Sequence, residues 1–187
     1  MAFSRSEARL KIAITGHSKG IGKACFDLLS QEHECIGFSR SNGFDISKDI
    51  ANIIDQSLEC DVFINNAYFE FKQVEIFDTL FEQWRNNLDK TIVNINSRSK
   101  YGVGKNQFYG TTKKELANKS YNAMFSDKSC RIININPGYV ETDMVAQHIG
   151  KFKMLQPSKV AETIKWCLDQ PQDIEIGELS IWKTTLR

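Results

Sequence analysis

The chain has 187 residues, enough for one domain with its own core and tight for two. Apolar residues make up 41% and charged residues 25%, a globular profile rather than a disordered one. Twenty-four Lys and Arg against 23 Asp and Glu leave a formal charge of +1, which excludes a strongly basic nucleic-acid binder as the default reading and an acidic tail, and leaves room for a local basic pocket.

Short apolar runs alternate with helix-period stretches along the chain. The first run, Leu10–Thr15, reads as a strand. A glycine-bearing turn follows, and then Ile21, Ala24, Cys25, Leu28 and Leu29 fall on one helix face. A second strand is expected near Glu34–Ser39, and a short third strand just before Asp45. Ser47 is placed to cap a helix whose face carries Ile50, Ile53, Ile54 and Leu58. Asp61–Asn65 reads as a strand. Val74, Phe77, Leu80, Phe81, Trp84 and Leu88 make a further helix face, which reads as core or subunit interface. Thr91–Asn96 is the next strand, and a helix is expected from Phe108 to Met124. Arg131–Asn136 is again a strand, broken by Pro137-Gly138. Val160, Ala161, Ile164 and Leu168 mark the last helix, and Ile174–Trp182 the last strand. About seven strands with helices between them imply one doubly wound parallel α/β sheet, covered on both faces by right-handed crossovers.

No stretch of about 18 residues is free of charge, so no membrane span is expected. Met1–Leu10 carries Arg5, Glu7 and Arg9 and lacks a secretory apolar region, so the expected location is cytoplasmic. The cysteines Cys25, Cys35, Cys60, Cys130 and Cys167 are scattered and odd in number. They read as small apolar residues rather than a disulfide frame. His17, His33 and His148 show no ligand spacing, and no metal site is expected.

The first strand runs into Thr15-Gly16-His17-Ser18-Lys19-Gly20-Ile21-Gly22. Glycines suit a turn whose backbone N–H groups must approach a pyrophosphate, and the helix that follows turns its positive end toward that phosphate. This octapeptide resembles the TGxxxGxG turn of the short-chain dehydrogenase/reductase family. Asn65-Asn66-Ala67 resembles the family's NNAG motif, and Asn94-Ile95-Asn96-Ser97 the strand end that carries its serine. Tyr109-Gly110-Thr111-Thr112-Lys113 matches YxxxK, and Pro137–Met144 is similar to PGxVxTxM. The motifs stand in family order over nearly the whole chain. The resemblance implies a single Rossmann-like NAD(P)-binding domain over residues 1–187, with an integral catalytic site.

An NAD site holds the ribose 2′-hydroxyl with an acid at the end of the second strand. Here the chain reads Phe38-Ser39-Arg40-Ser41-Asn42, without one. Arg40 and Lys19 are cations suited to a 2′-phosphate, so NADP(H) is expected over NAD(H). The resemblance implies cofactor contacts from Gly16, Ser18, Lys19, Gly20, Ile21, Gly22, Ser39 and Arg40. It extends them to Asn65, Asn66, Ala67, Tyr109, Lys113, Pro137, Gly138, Val140 and Thr142. Asp45 is similar to the family's adenine-contacting Asp, although a turn or helix-entry role fits it too.

Tyr109 and Lys113 are four apart and share a helix face. A lysine cation there stabilises a tyrosinate and tunes the phenol for proton transfer. Ser97, at a strand end, is placed to donate to a carbonyl oxygen. The resemblance assigns Tyr109 as general acid, Ser97 as carbonyl stabiliser and Lys113 to the ribose hydroxyls and the tyrosine.

The match breaks in four places. The segment from Asn65 to Ser97 is short by about one helix, and the family's catalytic Asn has no counterpart. Its place falls near Lys72 or Gln73; Gln73 is the candidate for holding a proton-relay water, and Asn86 and Asn87 are poor substitutes. Tyr68 replaces the Gly of NNAG and must swing aside from a cofactor or cover it. The lid segment Val145–Gln156 is short, and Lys183-Thr184 replaces the terminal glycines. The expected function is hydride transfer between NADP(H) and a small carbonyl or alcohol substrate, in a homo-dimer or homo-tetramer. The rival readings are a nucleotide-binding sensor or partner subunit with little turnover and, further off, an epimerase or dehydratase of the extended branch.

Overall fold

The computed structural model describes residues 9–102, 106–151 and 153–184; the reading of the leading residues Met1–Ala8 lies outside them. In chain order the elements are β1 (Lys11–Thr15), α1 (Gly20–Leu29), β2 (Glu34–Phe38), α2 (Ile50–Ser57), β3 (Val62–Asn65) and α3 (Lys72–Trp84). There follow β4 (Thr91–Ile95), α4 (Gln107–Met124), β5 (Arg131–Pro137), α5 (Pro157–Leu168) and β6 (Glu178–Ile181). The strands form one parallel sheet in the order β2-β1-β3-β4-β5-β6. The chain winds outward from β1 to β2, returns to β3 on the other side, and then continues in one direction. The crevice between β1 and β3 is therefore the topological switch point.

The central strands β3, β4 and β5 are buried along their whole length, which is why they read as unbroken apolar runs. The edges β2 and β6 are partly exposed. One face carries α1 and α5, with Ile12, Ile14, Val93, Ile133, Ile164 and Cys167 between them and the sheet. The other carries α2, α3 and α4, with Phe63, Phe77, Leu80, Ile92 and Leu116. Each fully buried side chain of this size contributes roughly 1.5–3 kcal/mol. All five cysteines are free, and all but Cys35 are fully buried. Burial pushes the Cys25 thiol up to about 12, so it behaves as an apolar side chain.

Several expectations need correction. Among the described residues there are six strands, and the short strand before Asp45 is absent. Ser39 N donates to Asn42 Oδ1 (2.9 Å) and Asn42 Nδ2 to Gly37 O (2.8 Å), which bends the chain into a 3-10 turn over Arg40–Asn42. Gly43 at φ +91° completes the exit, and Phe44 packs edge-on against Phe38 instead of extending the sheet. Ser47 caps nothing: α2 starts at Ile50 with Asp49 at its N-cap, because Asp45 and Asp49 organise this entry. The helix expected to reach Leu88 ends at Trp84, leaving Leu88 exposed in the loop. The last strand is only Glu178–Ile181. Among the described residues no helix is long and apolar enough to cross a membrane.

Candidate active site

The carboxyl ends of β1, β3, β4 and β5 carry the residues singled out by sequence. Gly16 and Gly20 have φ of +71° and +54°, a backbone region that a side chain disfavours. A Cβ on Gly22 would lie 2.2 Å from the Gly16 carbonyl oxygen and 2.5 Å from Asn66 Nδ2. The glycines therefore let α1 close on the turn. Lys19 at the N-cap makes no capping bond, so the first-turn N–H groups of α1 stay free to take an anion. Ser18 and Lys19 are exposed, Gly20 and Ile21 half-buried.

Asn65, Asn66 and Ala67 lie against this turn. Thr15 Oγ1 accepts from Asn66 N (2.9 Å) and Ala67 N (3.0 Å), and Asn66 Nδ2 donates to Thr15 O (2.9 Å). Asn65 is fully buried, and its Nδ2 donates to Asn94 Oδ1 (3.0 Å) and to Gln73 O (2.8 Å). Asn94 Nδ2 continues the chain to Ser120 Oγ on α4 (3.0 Å). This polar seam explains why α4 packs inward without a strong apolar face. It makes Asn65 a strut between strands as much as a cleft residue.

Ser97 follows β4. Its Oγ accepts from Ser99 N (3.1 Å), which caps a 3-10 turn over Arg98–Tyr101 and leaves the hydroxyl hydrogen free to donate. That turn presses close to α4, where a Cβ on Gly110 would already lie 3.0 Å from Ser99 O. Asn106 Oδ1 accepts from Tyr109 N (3.0 Å) and caps α4. Tyr109 and Lys113 then face inward one turn apart, with Lys113 Nζ 5.5 Å from the Tyr109 ring centroid. The Ser97 side chain lies beside the Tyr109 hydroxyl. Burial raises the Tyr109 pKa, and the Ser97 side chain pulls it part of the way back.

Lys113 is 3% exposed, and among the described residues no carboxylate pairs with it. Its Nζ donates to Ile95 O (2.8 Å) and to Gln73 Oε1. Burial pushes the lysine down to about 7. Gln73, in the first turn of α3, is 2% exposed and fixed by Nε2 donating to Asn65 O (2.7 Å). The amide singled out for a relay water touches the lysine itself. Asn86 and Asn87 lie beyond the far end of α3.

The remaining expected residues divide into two groups. Ser39 is buried within its turn, and Arg40 is exposed. Lys19 Nζ meets Asp143 Oδ2 at 3.1 Å, a solvent-exposed pair that contributes little and opens easily. Asp45 Oδ1 accepts from Ser47 N (2.9 Å), and that bond holds the carboxyl below its usual range. Pro137 ends β5, Gly138 N donates to Ile181 O (2.8 Å), and Val140 is buried beside Leu155. Thr142 stands over the glycine turn, its Cγ2 3.0 Å from where a Cβ on Gly20 would be. The short lid segment forms an exposed 3-10 turn over Asp143–His148.

Two contacts escape a reading of the sequence. The Tyr68 ring packs edge-on against Tyr109 (4.8 Å between centroids, 74°) and lies 5.5 Å from Lys113 Nζ. Arg98, next to Ser97, lays its guanidinium 4.3 Å from the centroid of the Trp182 ring. Adjacency to Ser97 was the only available signal for Arg98; nothing in the chain linked it to a tryptophan 84 positions later.

No family model matches the chain. An uncharacterized oxidoreductase of Staphylococcus epidermidis is 23% identical over 227 aligned positions, covering 94% of this chain and 98% of the relative. The alignment is longer than this chain, so the relative carries segments that this one lacks. A serine dehydrogenase complexed with NADP+ superposes with a TM-score of 0.77 at 16% identity, covering 95% of this chain and 96% of its own. A short chain dehydrogenase of Burkholderia cenocepacia in complex with NADP gives 0.73 at 16%, covering 92% and 96%. The fold is therefore the one these dehydrogenases use.

Proposed function

We propose that this chain is an NADP(H)-dependent oxidoreductase of the short-chain dehydrogenase/reductase family, acting on a small carbonyl or alcohol substrate. The observation that carries the reading is the meeting of Ser97, Tyr109 and Lys113 at the carboxyl end of the sheet, beside a glycine turn at the switch point. One domain then supplies both the cofactor cleft and the chemistry.

The residues present fit such a cofactor. The cradle of Gly16, Gly20 and Gly22 admits a pyrophosphate over the start of α1, and β2 ends without an acid. Arg40 is free to reach a 2′-phosphate, and Lys19 reaches it by leaving Asp143. When bound, the nicotinamide supplies or accepts the hydride. Ser97 then donates to the substrate oxygen, and Tyr109 gives it a proton. Tyr109 stays protonated near neutral pH, the state that carbonyl reduction needs.

Titration of the purified protein with NADPH and NADH, followed by fluorescence, tests the cofactor assignment. NADPH is expected to bind more tightly, and Arg40→Ser to weaken NADPH by about 10-fold while leaving NADH unchanged, the loss of one charge-assisted contact. Equal weakening of both nucleotides would remove Arg40 from the phosphate site.

Gln73 is a positioning residue that acts through Lys113. Gln73→Glu places a carboxylate on the ammonium and is expected to move the alkaline limb of the kcat/KM profile upward by about one pH unit or more. Gln73→Ala is expected to lower kcat with NADPH affinity kept. A profile unmoved by either change would reduce Gln73 to a packing role.

The nucleotide-binding alternative draws on Tyr68, whose ring covers the Tyr109–Lys113 pair. Intact Ser97, Tyr109 and Lys113 speak against it. Exposed Phe108 and Tyr121 on α4, with exposed Phe125 at its C-cap, support a homo-dimer or homo-tetramer built along that helix.

A further inference from the structure

We propose that the substrate carries a carboxylate, and that Arg98 stacked on Trp182 is the group that holds it. This deepens the reductase reading and rests on it. The register puts the relevant residues in one row across the carboxyl edge of the sheet. Asn96 N donates to Ile135 O, so Ser97 stands level with Pro137; Pro137 in turn pairs with Ile181. Trp182 is thus level with Gly138, and the two are in close contact: a Cβ on Gly138 would lie 2.8 Å from Trp182 Cβ. From its place next to Ser97, Arg98 reaches past β5 to the indole at the end of β6, with Cζ 4.3 Å from the ring centroid.

This arrangement suits an anion. The indole lies against the guanidinium and holds the cation by its ring face. Among the described residues the Arg98 N–H donors make no hydrogen bond, and their fork matches the two oxygens of a carboxylate. Among the described residues no acid neutralises Arg98. The nearby carboxylate, Glu178, is already taken by Lys100 Nζ (2.6 Å) and the Tyr101 hydroxyl (2.9 Å). Arg98 is half-buried and Trp182 52% exposed, so the cation is shielded but reachable. By strand spacing the end of β6 lies about 10 Å from β4, and with a hydrogen bond of about 3 Å at each end the remaining roughly 4 Å is the span of a three- or four-carbon acid. The substrate class is a short oxo acid or hydroxy acid, in preference to a neutral ketone or a thioester.

The test is binding of a panel of 2- and 3-hydroxy acids (lactate, serine, 3-hydroxybutyrate) and of their methyl esters. It is read by tryptophan fluorescence with NADP+ present, for the wild type, Arg98→Gln and Trp182→Phe. At least one acid is expected to bind about 10-fold or more tightly than its ester, the scale of a charge-assisted pair. Arg98→Gln is expected to erase that preference and leave NADPH affinity unchanged. Trp182→Phe, which controls for signal from Trp182 itself, is expected to keep part of it when read by calorimetry. No acid preferred over its ester, or a preference that survives Arg98→Gln, would overturn the proposal. NADPH titration separates the two readings. Nucleotide binding without acid preference removes only this proposal. If no nucleotide binds, the reductase reading falls, and the same acid–ester comparison without nucleotide decides the anion site by itself.

Discussion

Tyr109→Phe is expected to lower kcat/KM for NADPH-dependent carbonyl reduction by about 10²–10⁴-fold while NADPH affinity stays within a few-fold of wild type. The substitution removes one hydroxyl. The ring, its edge contact with Tyr68 and its distance from Lys113 all remain available. What disappears is the proton that Ser97 and Lys113 are arranged around. Ser97 keeps its donor, so some stabilisation of the substrate oxygen survives, and the loss should be large rather than total. Steady-state kinetics beside a fluorescence titration separates chemistry from binding. Turnover within twofold of wild type would favour the nucleotide-binding alternative.

Lys113→Met is expected to do two separable things. It should reduce turnover by a factor comparable to that of the tyrosine change, because the cation beside Tyr109 is lost. It should also change how stability depends on pH. In the folded protein the lysine is pushed down to about 7 by burial, whereas in the unfolded chain it sits near its ordinary 10.5. Between these values the unfolded chain binds more protons, so this group makes stability rise with pH. Below about 7 both states carry the proton, and the full cost of burying the charge is present. Unfolding by denaturant at several pH values should show the wild type gaining about 1.4 kcal/mol per pH unit on Lys113→Met from pH 7 upward, flattening above pH 10. A constant difference across that range would mean that Lys113 is not buried as a near-neutral amine. The same titration bears on activity: reduction should fall as pH rises through the Lys113 pKa, because the amine that remains cannot help Tyr109.

Much of this was legible in the chain. Strands announced themselves as apolar runs because the central ones are buried on both faces, so β3, β4 and β5 fall within a residue or two of where periodicity put them. The glycine turn was legible because positive φ and a 2.2 Å approach to a carbonyl leave few residues that fit. Tyr109 and Lys113 had to share a face, since helix geometry is local.

What the chain concealed depends on groups far apart in sequence. The strand before Asp45 was lost to the bonds of the Asn42 side chain with Ser39 and Gly37, which compete with sheet pairing at an edge where little burial rewards extension. The end of α3 at Trp84 was hidden because an exposed Leu88 fits a helical period as well as a buried one. The state of Lys113 is a tertiary property: residue type says amine, but only packing of α3, α4 and β4 decides that its partners are an amide and a carbonyl rather than a carboxylate. Gln73 became a direct ligand of that lysine for the same reason. Arg98 and Trp182 met because β4, β5 and β6 are neighbours with matched register. Local spacing determined the strands, the turn and the helix face that Tyr109 and Lys113 share; burial and cross-strand register, which are set only when the sheet closes its order, decided the state of Lys113 and the meeting of Arg98 with Trp182.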